Sequence, residues 1–271
     1  MVKVTEINIF PIKSLRGISL ASAALTRRGF RHDRCWMLVD SHGRFITQRQ
    51  YAQLALVETR LHDDGISVRA PGGESLEVPL QPVSGQCVEV RVWDDLVSAV
   101  AARDEINAWF SDYLGTACRL VAMPPDSVRA VDASYAVSAQ DQVGFADGFP
   151  FLLIGEGSLR DLNRRLLQRG ESAVPMIRFR PNIVVDSDEA FAEDHWRRIK
   201  IGDVVFHVVK PCSRCVIPTI DLQTAARHKE PLRTLLEYRK TGNKAYFGQN
   251  LVHEFVPDAV ISVGDPVQVL D

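Results

Sequence analysis

Hydrophobic and polar positions alternate in short runs through the first hundred residues, which predicts strands. Val2-Lys3-Val4 and Ile7-Asn8-Ile9 each keep a period of two, and the phase breaks at Thr5-Glu6, the signature of a β-bulge. The runs from Cys35 to Val39 and from Phe45 to Thr47 flank Asp40-Ser41-His42-Gly43-Arg44, a hairpin pattern with a glycine for the positive φ. Leu54 to Arg60 and Ile66 to Ala70 flank His62-Asp63-Asp64-Gly65, a second hairpin, and Val88 to Trp93 alternates cleanly. Many short strands at this spacing predict a small barrel or sandwich.

The period then lengthens to that of a helix. Ile106, Trp109, Phe110, Tyr113 and Leu114 share one helical face, with Asp104 expected as the N-cap and Gly115 as the stop. Leu159, Leu162, Leu166 and Leu167 predict a second helix, capped by Ser158 and ending near Gly170. Leu232, Leu235 and Leu236 behind Pro231 predict a third. Strand character returns at Phe179 to Val185, interrupted by Pro181. It also returns in two strand–Gly-Asp–strand units, Ile199 to Phe206 and Val260 to Val267, each read as a hairpin. Between Met123-Pro124-Pro125 and Ala139 no period is visible, which makes this stretch the linker. The expectation is an α+β, β-rich chain: a barrel-like unit over 1–125, and a second β-barrel with flanking helices over 126–271.

Composition narrows the function. The chain has 271 residues, of which 46% are apolar and 24% charged, too apolar for disorder. Its 32 Lys+Arg against 34 Asp+Glu give a net charge of −2, so there is no positive excess to neutralise nucleic-acid phosphates. Five cysteines, an odd count without disulfide-like spacing, point to a reducing compartment. No apolar stretch of about 7–15 residues opens the chain, as a signal peptide requires. None of about 18 occurs anywhere, as a spanning helix requires. A cytoplasmic protein without a membrane partner is expected.

The segment richest in chemistry is Lys210-Pro211-Cys212-Ser213-Arg214-Cys215-Val216-Ile217-Pro218-Thr219. Cysteines at C-x-x-C spacing serve as half of a structural zinc site, as a redox dithiol, or as a single reactive thiolate beside an arginine. The plain alternative is two buried cysteines at a strand end. Pro11-Ile12-Lys13-Ser14-Leu15-Arg16-Gly17 follows a strand and carries a lysine, hydroxyl and glycine for a phosphate, although it is not a P-loop. In Gly29-Phe30-Arg31-His32-Asp33-Arg34, Asp33 can pair with one arginine and leave the other for an anion. In Arg178-Phe179-Arg180-Pro181-Asn182, a strand would project 178, 180 and 182 from one face. A buried cluster of that kind needs an anionic ligand. The seven histidines show no metal-ligand spacing, and neither G-x-S-x-G nor G-x-G-x-x-G occurs.

The order of motifs resembles that of a MOSC-domain protein with its N-terminal β-barrel domain, of the amidoxime-reducing type. The motifs are Phe10-Pro11-Ile12-Lys13-Ser14, Asp33-Arg34, Thr47-Gln48-Arg49-Gln50, and Pro150-Phe151-Leu152-Leu153-Ile154. They continue with Phe179-Arg180-Pro181-Asn182, Cys212-Ser213-Arg214-Cys215, Phe247-Gly248-Gln249 and Val263-Gly264-Asp265-Pro266-Val267. The resemblance implies a Mo-molybdopterin cofactor with no need of pyridoxal phosphate. Cys215 matches the ligand of molybdenum and would be both metal-binding and catalytic, while Cys212 would not be a ligand. Lys13, Ser14, Arg34, Asp147, Arg180, Asn182, Ser213 and Arg214 match cofactor-binding positions. Two departures stand out. Asp147-Gly148-Phe149 replaces Asp-Thr-Ser, which removes two hydroxyls, and Cys215-Val216-Ile217-Pro218-Thr219 replaces Cys-x-x-Thr-Thr.

The activity so implied is reduction of small N-hydroxylated compounds. The five cysteines cannot build an iron–sulfur domain, so the electrons are expected from a separate donor of the reductase, ferredoxin or cytochrome type. The alternatives are a cofactor carrier without turnover, or a sulfur carrier working through a Cys215 persulfide.

Overall fold

The computed structural model describes residues 1–81 and 85–271. It is β-rich, as expected, with three helices: α1 (Asp104–Leu114), α2 (Glu156–Gln168) and α3 (Leu232–Tyr238). The largest sheet has nine strands. Eight of them run in the order Val267–Val269, Arg198–Ile201, Val204–Arg214, Lys244–His253, Phe151–Gly155, Ile183–Val185, Val4–Ile9 and Ile18–Leu20. Strand pairing therefore crosses residue 125: Val4–Ile9, from the start of the chain, lies antiparallel to Ile183–Val185. The shift in register between Val4 and Glu6 is the bulge read from the phase break.

This sheet is buried on both faces. Phe151 and Leu153 join one apolar cluster with Ile7, Ile9, Ile183 and Phe206. The alternate residues Leu152 and Ile154 join a second cluster with Leu162 and Leu166 of α2, Phe179, Leu235 and Phe247. The period of two thus feeds two cores from one strand, which is why Phe151–Gly155 reads as an unbroken apolar run. Burying each such side chain contributes roughly 1.5–3 kcal/mol. The first half adds a sheet in the order Trp36–Val39, Arg119–Ala122, Asp95–Ala101, Cys87–Val92, and a meander of Glu58–Leu61, Gly65–Arg69 and Ser75–Pro79. Helix α1 packs its Ile106, Phe110 and Leu114 into a further core with Trp36 and Leu38.

Several expectations need correction. Asp104 and Ser158 are not N-caps, because α1 and α2 begin one and three residues earlier in register, behind Arg103 and Gly155. Ser158 is instead fully buried in α2, where its Oγ donates to Glu193 and accepts from the Phe191 amide. Gly115 does end α1 in the left-handed conformation. Residues 52–56 form a 3₁₀ turn before the Glu58–Leu61 strand. Val260–Ser262 and Val267–Val269 do not pair with each other: one joins Ser22–Thr26 and the other Arg198–Ile201. The Gly264-Asp265 turn carries the chain between two sheets. Ile199 to Phe206 is a hairpin, as read.

The segment Phe179 to Val185 is also not one strand. Met176–Phe179 is a 3₁₀ turn, Arg180 is left-handed at φ 57°, and only Ile183–Val185 is extended. Pro181 lacks the N–H that a continuous strand would use at this point. Arg178 therefore turns away to pair with Asp221 at 2.8 Å, while Arg180 and Asn182 reach the cleft.

Candidate functional site

A cleft of about 990 Å³ lies where the two halves of the chain meet. Lys13, Ser14, Arg34, Asp147, Arg180, Asn182, Ser213, Arg214 and Cys215 all line it. These residues come from widely separated segments, and each is delivered by a local irregularity. The loop after Val4–Ile9 is fixed by Lys13 N–H donating to the Trp36 carbonyl, and it leaves Ser14 at φ 70°. Arg34 sits at φ 46°. The long Val204–Arg214 strand shifts register between Val208 and Lys210 and again between Pro211 and Ser213. Such shifts bend a strand and re-aim its end, here presenting Ser213, Arg214 and Cys215 to the cleft. Four of the eight described non-glycine residues with positive φ line this one cleft: Ser14, Arg34, Trp93 and Arg180. Backbone strain concentrated in this way marks a functional site.

The floor of the cleft is a cation platform. Phe10 is fully buried, and its ring carries the Arg34 guanidinium at 4.3 Å and the Arg180 guanidinium at 4.1 Å. Gly17 makes room for that ring, since a Cβ there would lie 2.5 Å from Phe10. Arg34 donates to Asp33 at 2.5 Å and to Asn182 Oδ1 at 2.8 Å. Asn182 is only 1% exposed, and its Nδ2 donates to Asp33 Oδ2 and to the Asn8 carbonyl. With both ends of its amide occupied, Asn182 acts by fixing Arg34. Arg180 donates to the Leu15 carbonyl at 2.7 Å. Burial first, and then the adjacent Arg34 cation, press the Arg180 guanidinium towards its neutral form. Arginine nevertheless keeps its charge in proteins, so this site calls for an anion.

A second cluster stands beside Cys215. Lys13 donates to the Phe145 carbonyl at 2.7 Å and to Asp147 Oδ1 at 2.5 Å, and Arg49 donates to Asp147 Oδ2 at 2.6 Å. Burial lowers the pKa of Lys13 more than Asp147 raises it. For Asp147, burial alone would raise the pKa, but Lys13 and Arg49 outweigh it and hold the carboxyl well below the usual range. For Arg49, burial works against the charge, and the nearby Asp147 and Cys215 together overcome that. Arg214 donates to Cys212 Sγ at 3.1 Å and to the Phe179 carbonyl at 2.8 Å, yet its buried Nε has no partner among the described residues.

Sequence reasoning quoted Arg49 and Phe10 within motifs but gave neither a role. Arg49 joins Asp147 to the Trp93 ring, and among the described residues Phe10 is the one ring shared by two arginines. Neither was visible without the pairing of distant loops. Lining the cleft are eight Lys and Arg side chains against four aspartates, in a chain whose net charge is −2. Positive charge is thus concentrated here. Among the described residues no cluster of three or more His, Cys, Asp or Glu is set to hold a metal ion, so a structural zinc site finds no support. No described helix is long and apolar enough to cross a membrane.

Residues 1–117 match the MOSC N-terminal beta barrel domain, and residues 140–268 match the MOSC domain. The chain belongs to the MOSC family. Over 98% of its length this MOSC protein is 35% identical to mitochondrial amidoxime-reducing component 1 of Mus musculus, covering 82% of that protein. The Homo sapiens protein of the same name is 32% identical with the same coverage. Molybdenum cofactor sulfurase of Homo sapiens is 30% identical over 97% of this chain, which spans only 32% of that larger protein. The MOSC assignment and the likeness to amidoxime-reducing components agree with the motif order.

Proposed function

We propose that this protein is a molybdopterin-dependent reductase of N-hydroxylated compounds that draws electrons from a separate donor protein. The observation that carries this reading is one cleft in which a buried surplus of guanidinium groups shares its walls with the sulfur of Cys215. A pterin that bears a phosphate offers negative charge and many amide-like hydrogen-bonding groups. The cleft answers both needs. Arg180 and Arg34 are charged on an apolar floor, and the Nε of Arg214 is buried without a partner. Thiolates select soft metals, and Cys215 supplies one while Cys212 is occupied by Arg214.

In this reading Lys13, Ser14, Arg34, Arg180, Ser213 and Arg214 hold the phosphate end through charge-assisted bonds. Asp147, whose side chain is half open, accepts from the N–H groups of the ring. Cys215 ligates molybdenum, and Asn182 keeps Arg34 aimed. When bound, the cofactor supplies two-electron oxygen-atom transfer. The overall reaction takes the N-hydroxylated substrate, two electrons and two protons to the N–H compound and water. Arg49, held by Asp147 in the same cleft, would set a cation near the sulfur.

The test is the molybdenum and released pterin in protein from a cofactor-competent host, wild type beside Cys215→Ala, followed by benzamidoxime reduction with a chemical reductant. Equimolar metal in the wild type, lost in the variant, with the amidine as product, is the expected result. Absence of both metal and pterin from the wild type overturns the reading.

A further inference from the structure

Trp93 stands at the mouth of the cleft, at a backbone position that suits glycine or asparagine and not a bulky ring. Val92 pairs with Asp95, so Trp93-Asp94 is the whole loop of the hairpin between Cys87–Val92 and Asp95–Ala101. Trp93 takes φ 57° in that loop. Two-residue hairpin loops place glycine, asparagine or aspartate at positive φ, and a bulky residue there is a steric outlier. Burial does not compensate, because Trp93 is 48% exposed.

The ring is nevertheless held. Phe45 meets it edge-on, with centroids 5.0 Å apart, and the Arg49 guanidinium lies over it at 5.1 Å. Phe45 is in turn the ring beneath Lys13 Nζ, at 5.3 Å. The same Arg49 donates to Asp147 Oδ2 at 2.6 Å, in the cleft that Cys215 also lines. A strained, half-open indole is thus tied through one side chain to Asp147, in the cleft that holds the candidate reacting sulfur. Strain of this kind persists where it serves a site.

We propose that Trp93 is the platform on which flat aromatic N-hydroxylated substrates stack, so that the protein prefers aryl amidoximes to small aliphatic ones. The proposal rests on the reductase reading of the cleft. Aromatic stacking beyond simple burial corresponds to about a 2- to 10-fold change in affinity.

The first test is kinetic, in molybdenum-loaded protein. Trp93→Gly should raise the ratio of the KM for benzamidoxime to that for acetamidoxime by about 2- to 10-fold, while Trp93→Phe restores the ratio. Trp93→Gly should also melt no lower than wild type, because glycine relieves the positive φ. The second test needs no turnover. In ¹⁵N-tryptophan-labelled protein, the indole signal that disappears in Trp93→Phe should shift with benzamidoxime and stay still with acetamidoxime. An unchanged KM ratio together with a motionless indole signal overturns the platform. A shift of the indole signal without any reduction supports the platform and sinks the reductase reading alone.

Discussion

Replacing Asn182 with leucine tests whether the arginine platform is held from beneath. Leucine nearly matches the volume but removes every polar atom of the side chain. Four bonds disappear: Nδ2 to the Asn8 carbonyl and to Asp33 Oδ2, both 3.1 Å, and those that Oδ1 accepts from Arg34 at 2.8 Å and from the Leu152 amide at 3.3 Å. The site is 1% exposed, so water does not replace them. At about 1 kcal/mol per bond, with a further penalty for buried partners left bare, the loss is about 3–5 kcal/mol. For a chain of this size that lowers Tm by roughly 6–20 °C. Thermal melts and urea titrations measure it directly. Arg34 should also lose its fixed direction, so the variant should release pterin faster than wild type. A Tm within about 2 °C of wild type would refute the argument that Asn182 is the junction of this network.

Three further outcomes are expected. Asp147 has a folded-state pKa below its unfolded value, so its stabilisation is present above about pH 4 and disappears as pH falls through the folded value. The difference in urea midpoint between wild type and Asp147→Asn should therefore shrink on acidification below pH 4; a constant difference would exclude the carboxylate as its source. Gly248 has φ 79°, and a Cβ there would lie 2.8 Å from the Leu153 carbonyl oxygen, so Gly248→Ala should cost at least about 2 kcal/mol in a urea titration. Lysine has no planar guanidinium to lie over Trp93 while bonding Asp147, so Arg49→Lys should lower kcat/KM by more than about 10-fold per bound molybdenum, as read by steady-state kinetics.

The elements legible in the sequence were those that long patterns specify. The apolar face of α1, its stop at Gly115, the bulge in Val4–Ile9 and the hairpin of Ile199 to Phe206 all follow from periodicity and turn chemistry. Misreadings came where tertiary contacts overrode local preference. Ser158 looks like a cap because serine favours that position, yet its hydroxyl is used by Glu193 and Phe191 inside the protein. Val260 to Val267 looks like a hairpin, but each arm finds a better apolar neighbour in a different sheet. In the cleft, the motifs identified the residues that carry charge or sulfur. They were silent about Phe10, whose ring works through two arginines, and about Arg49, whose partners lie in distant segments.

The strand Val4–Ile9 is held between Ile18–Leu20 and Ile183–Val185, and just before it Lys3 hydrogen-bonds Asp186, 183 residues further along the chain. A ribosome adding about 5–20 residues per second leaves this strand half-paired for roughly 10–40 s before its partner exists. During that interval an apolar edge ending in Ile7, Ile9 and Phe10 is open to any other extended chain. A strand made early is thus completed only once Ile183–Val185 has emerged. Crowded or fast expression should therefore fail first as aggregation of nascent chains, and slower synthesis or added holdase chaperone should raise the soluble yield without changing the stability of the finished protein.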